Sequence, residues 1–210
     1  MKKFTSAVLA FAMLISATLC SASAADTGVQ KARHAGETTE ITVIEVDPVT
    51  NEQRTQMVEV AIPAGASAQE EQDIMVNAAK VVTGNATPQT RASNSTRATN
   101  YVELTSAKYT YVGMAYPDFV DEYSAIYVTF TGIEALNGAS QIWTRVIARY
   151  NENGTPEIKM DINSTQGDIV MVYGGRYGGA TFYPSVHDNI NVWSRPDVGK
   201  VNCNVTVRFS

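Results

Sequence analysis

The residues best suited to chemistry are few. Asp118, Asp121 and Glu122 form the densest acidic cluster of the C-terminal half, just after Tyr116-Pro117. Carboxylates grouped on a loop can hold calcium, and a pair of them can run glycoside hydrolysis. The spacing is not that of an EF-hand, and the commonest use of such a loop is to keep a sheet edge solvated. The two histidines are His34, in a polar leader, and His187, which precedes Asp188 at a turn. Ser185 lies two residues from His187, but no G-x-S-x-G elbow accompanies it. Zinc takes three or four ligands, usually several of them His or Cys, and two His with two Cys far apart do not supply them. No catalytic residue, metal or cofactor is therefore expected.

Binding chemistry is better represented. Residues 173–179 read YGGRYGG and run into Ala180-Thr181-Phe182-Tyr183-Pro184. The glycines permit positive φ and close approach of the backbone to a partner. Tyr173, Tyr177 and Tyr183 bring flat rings to the same stretch, and Arg176 can stack or donate through a planar fork. The competing use is a glycine-rich hairpin or bulge with core tyrosines at its ends. Trp143 and Trp193 have the opposite parity to the main apolar residues of their strands, so they are exposed or covered by a second layer.

The elements that carry these residues are mostly strands. Ile126, Val128 and Phe130 alternate with Tyr127, Thr129 and Thr131, and Ile142, Thr144 and Val146 alternate with Trp143, Arg145 and Ile147. Residues 157–162 and 201–209 follow the same two-residue rhythm, with shorter runs at 109–114, 169–173 and 190–193. Such a rhythm implies one buried and one wet face. Turn signals at Asn137-Gly138, Asn151–Gly154 and Asp197–Gly199 separate the runs. Many short strands with regular turns predict an antiparallel β-sandwich, jelly-roll-like or Ig-like. A membrane barrel is disfavoured by the mixed charge and the shortness of most strands.

Before residue 100 the pattern differs. Ile41, Val43 and Val46 lead into Asp47-Pro48-Val49-Thr50-Asn51-Glu52, and Val58, Val60 and Ile62 follow, which reads as a β-hairpin. Ser67-x-x-Glu70 has capping-box spacing, and Ile74, Ala78, Val81 and Val82 suggest the buried stripe of a helix over 68–82, stopped near Gly84. The expected organisation is a flexible leader at 25–39, a hairpin–helix unit at 40–82, a polar linker at 83–100 and a β-sandwich domain at 101–210.

Residues 1–24 read as a signal peptide, bacterial in style. Lys2 and Lys3 precede an apolar core ending at Leu19, and Ala22-Ser23-Ala24 is a small-residue cleavage site. The apolar core is too short to span a bilayer, and Leu19 before Cys20 argues against lipidation. Cleavage would remove two lysines and no acidic residue, leaving 14 basic against 21 acidic side chains, net −7. That balance excludes nucleic acid as a partner. Cys203 would then be alone and is expected to be a buried small hydrophobe. Five N-x-S/T sequons are present, but glycosylation is not expected.

These observations lead to a secreted, extracellular, non-enzymatic binding protein with no stable membrane anchor, recognising carbohydrate or a protein surface through Tyr173, Arg176, Tyr177, Tyr183, Trp143 and Trp193. The rivals are a secreted hydrolase using Asp118, Asp121, Glu122 or His187, and a membrane-active, pore-forming protein whose alternating strands insert after assembly.

Overall fold

Asp47 builds the first turn. One carboxylate oxygen accepts from the amides of Val49 at 2.7 Å and Thr50 at 3.2 Å, and its carbonyl accepts from Asn51, which sits at φ 57°. This Asx-type chemistry joins β1 (Thr38–Val46) to β2 (Gln53–Ala61) as an antiparallel hairpin. The computed structural model describes residues 36–85, 99–117, 120, 123–163, 167–175 and 189–210, which fall within one compact unit, Lys31–Ser210. The segment expected to be a signal peptide, most of the expected leader, residues 86–98 of the expected linker, and Asp118, Asp121, Glu122, Arg176, Tyr177, Tyr183 and His187 lie outside the described residues.

Helix α1 (Ala68–Val82) follows, with the expected capping box. Ser67 Oγ accepts from the Glu70 amide, and the Glu70 carboxylate accepts from the Ser67 amide at 2.8 Å. The remaining strands are β3 (Thr99–Thr105), β4 (Thr110–Ala115), β5 (Ala125–Leu136), β6 (Gln141–Ile147), β7 (Ile158–Asp161), β8 (Ile169–Gly174), β9 (Ile190–Pro196) and β10 (Lys200–Phe209). They form a six-stranded sheet in the order β2-β1-β8-β5-β10-β3 and a four-stranded sheet in the order β4-β9-β6-β7. The protein is a mainly β, two-sheet sandwich that opens with a hairpin. Its pairings are antiparallel save one: β1 runs parallel to β8, with Val43 beside Val170 and Val46 beside Tyr173.

That pairing places the hairpin inside the larger sheet, not beside it as a separate hairpin–helix unit. Asp168 fastens the junction from the turn ahead of β8. Its carbonyl accepts from Thr42 on β1 at 2.9 Å, and its carboxylate accepts from Gly132 on β5 at 2.9 Å. Gly132 sits at φ 58°, where the β5–β10 register slips by a residue opposite Cys203. A left-handed residue at a bulge favours glycine.

Two apolar layers result. Between the sheets lie Ile44 and Val46 of β1, Ile126, Val128 and Phe130 of β5, Ile142 and Val146 of β6, and Ile190 and Val192 of β9, among others. Cys203 is buried there, and burial pushes its thiol up to about 12. On the far side of the six-stranded sheet, α1 covers Ile41, Val43, Tyr127, Val170 and Val172. The buried stripe of α1 is Gln72, Met75, Val76 and Ala79, one position away from the expected one, and Val81 is exposed. The hydrophobic rhythm of the helix alone allowed either stripe, because alanines and valines lie on both.

The second layer also corrects the expectation that β5 and β10 have a wet face. Thr129, Asn204, Thr206 and Arg208 are all buried. Two of them meet polar partners on α1 and β3: Arg208 pairs with Asp73, Thr206 donates to Gln72, and Thr99 bonds Thr206 at 3.0 Å. Buried polar groups of this kind need such partners. Strand β6 ends at Ile147, where Asn151 turns the chain by donating to the Val146 carbonyl and accepting from the Ala148 amide.

Asp197 closes the opposite end of the four-stranded sheet. Burial works against its charge, but donors from Ser140, the Gln141 amide and the Val198 amide hold its carboxyl well below the usual range. A depressed carboxylate adds stability that is complete above its unfolded pKa and is lost as pH falls through the folded one. Asp197→Asn should therefore cost stability at neutral pH, and the gap between variant and parent should shrink below about pH 4, as acid unfolding curves would show. Ile44→Ala should lower stability by about 2–5 kcal/mol. Strand and helix signals should still be lost in a single transition, and two separate transitions would contradict the joined sheet.

Candidate functional site

Helix α1 covers the middle of the six-stranded sheet, whose edge strands β2 and β3 stay largely exposed, and the outer face of β4, β9, β6 and β7 has no helix over it. Their alternate residues point away from the sandwich core, and cross-strand register sets them in rows. In one row Tyr111 lies opposite Trp193, and Trp193 opposite Arg145. In the next, Arg195 lies opposite Trp143, and Trp143 opposite Lys159. At about 4.8 Å per strand the rows extend about 14 Å across the sheet. Trp143 and Trp193 are thus two members of a larger aromatic and cationic surface.

The contacts along the rows are close. The Arg195 guanidinium stands 4.3 Å from the Trp143 ring centroid and 5.2 Å from that of Tyr109. Lys159 Nζ lies 5.0 Å from Trp143, and Arg145 lies 4.6 Å from Tyr109. Tyr111 meets Trp193 edge-on, with centroids 5.4 Å apart. These are cation–π and T-shaped geometries, each worth about 0.5–1 kcal/mol at an exposed site. Trp143 Nε1 donates to Gln141 at 3.0 Å, which fixes the indole.

Glu157 is the charge at the centre. Its Oε1 accepts from Tyr109 at 2.8 Å and from Arg195 at 3.1 Å, while Arg145 stands at 3.7 Å. Burial would raise its pKa, but these hydrogen bonds and the two guanidinium charges outweigh it and hold the carboxyl below the ordinary range. Tyr109 moves the other way. Burial first, then the hydrogen bond to Glu157, raises its phenol above the usual value. Tyr111 at 43% and Met114 at 37% are large hydrophobic residues of β4 left exposed on this face.

Of the residues singled out in the sequence, Trp143 and Trp193 belong to this surface. Tyr173 does not. It is 2% exposed in the sandwich core, with its hydroxyl 3.5 Å from the Pro48 carbonyl, because β8 is buried on both sides. Tyr109, Tyr111, Arg145, Arg195, Lys159 and Glu157 were not selected from sequence. Parity on adjacent strands marks most of them, but only the register brings them together. Among the described residues no group of three or more His, Cys, Asp and Glu could hold a metal ion, and no helix is long and apolar enough to cross a membrane.

No protein-family model, curated protein or solved structure matches the chain.

Tyr109 should ionise above about pH 10, the ordinary tyrosine value. The difference between ultraviolet pH titrations of the parent and Tyr109→Phe isolates that step, and a step at or below the ordinary value would contradict the geometry.

Proposed function

We propose that the protein is a secreted, non-enzymatic interaction protein whose contact surface is the outer face of the four-stranded sheet, and that it engages a protein surface. One observation carries this reading: tryptophan, tyrosine and arginine lie side by side across three strands, with Lys159 on the fourth, on a sheet face that has no helix over it. These residue types, together with methionine, are those enriched at the energetic centres of protein interfaces. Stacked rings lose little side-chain freedom on binding, so contact area comes at small entropic cost. Carbohydrate fits less well, because the Trp143 ring already has two cations against it and offers a saccharide no bare face.

A photo-crosslinking residue placed at Tyr111 tests the reading, with the same residue at Val81, an exposed position on α1, as control. The reading expects covalent capture of one discrete protein through position 111 and none through position 81. Capture through 81 alone, or retention of neutral polysaccharide by the parent protein, would overturn it. Tyr111→Ala and Met114→Ala should each weaken the captured interaction by about tenfold or more, as residues at an interface centre do, while stability falls by no more than about 1 kcal/mol.

A further inference from the structure

We infer that Arg145 is the anchor of this face and takes a carboxylate from an acidic segment of the partner protein. The inference builds on the proposed contact surface and adds the chemistry of what binds there. The Arg145 side chain is 40% exposed, yet its guanidinium is held in place by the Tyr109 ring. Among the described residues its one ion pair is the 3.7 Å approach to Glu157, beyond hydrogen-bond length. Glu157 Oε1 accepts from Tyr109 and Arg195 instead. Arg195, in contrast, also donates to the Ser106 carbonyl at 3.3 Å and stacks on two rings. Arg145 is therefore a fixed cation with unspent donors, the arrangement that planar, two-toothed recognition of a carboxylate requires.

Charge on the whole face agrees. Arg145, Arg195 and Lys159 stand against Glu157 and Asp161, and Asp161 is engaged by its own turn, accepting from the Asn163 amide at 3.0 Å. The face is net positive on a chain of net charge −5, so an acidic partner is steered to this side of the molecule. The neighbouring Trp193 and Tyr111 supply the apolar contact beside the anchored carboxylate.

The probe is poly-glutamate, titrated into the mature protein at low and high salt, with dextran sulfate and dextran as comparisons. Binding of poly-glutamate that weakens with salt is expected, and Arg145→Gln should reduce it at least tenfold. Arg145→Lys should recover only part of the loss, because an ammonium cannot reproduce the fork. Lys200→Gln makes the same charge change on the other sheet, where Lys200 pairs with Glu103, and should leave binding within twofold. Equal losses in Arg145→Gln and Lys200→Gln, full recovery by lysine, or binding of dextran sulfate but not poly-glutamate would each overturn the inference. Captured partner at position 111 together with an inert Arg145→Gln would sink the anchor and leave the contact surface standing.

Discussion

The parallel insertion of β1 between β2 and β8 is the constraint on which the rest of the structure depends. It makes the hairpin part of the larger sheet and turns that sheet into a middle layer. Ile44 and Val46 face the second sheet, whereas Ile41 and Val43 face α1. A strand buried on both sides has no polar face left over, and β8 with its burial along Ile169–Gly174 shows the same property. The helix then covers the middle of the far side of the sheet, anchored by its Ser67 cap at one end and by the Asp73–Arg208 pair on the face it covers.

The consequence falls on the other sheet. With the middle of the larger sheet covered, the broad sheet face without a helix over it is that of β4, β9, β6 and β7. There the outward positions are filled by rings and cations that satisfy one another. Such a surface is stable without a cover, since the rings are shielded by guanidinium and ammonium groups and the cations keep partial access to water. It also stays rigid, because each side chain is held by a cross-strand neighbour. Glu157 adds to that rigidity by gathering Tyr109 and Arg195 on one oxygen.

Much of the local structure was legible in the sequence, for reasons that operate over a few residues. The Ser67–Glu70 box set the start of α1, Asp47 set the first turn, and the two-residue rhythm located the strands at 126–131, 158–161 and 201–209. What escaped depends on distant partners. The polar residues Thr129, Thr206 and Arg208 look solvent-facing in their strands, and only the helix packed across them makes them interior. The parallel β1–β8 pair joins segments more than a hundred residues apart, for which local pattern carries no signal. Tyr173 shows the same limit, since its glycine-rich neighbourhood suggested exposure while its strand lies in the middle of the sheet. For the candidate site, parity placed Trp143 and Trp193 on the outward face, but the cluster around Glu157 exists only in the register of four strands.

Amide hydrogen exchange of the protein, resolved by segment, tests the layered arrangement most directly. The slowest exchange should include Ile41–Val46 of β1 alongside β8, β5 and β10, because β1 is hydrogen-bonded on both edges and buried on both faces. Rapid exchange throughout β1 and α1, with β5 and β10 still protected, would show that the hairpin stands apart from the sheet and would contradict the account.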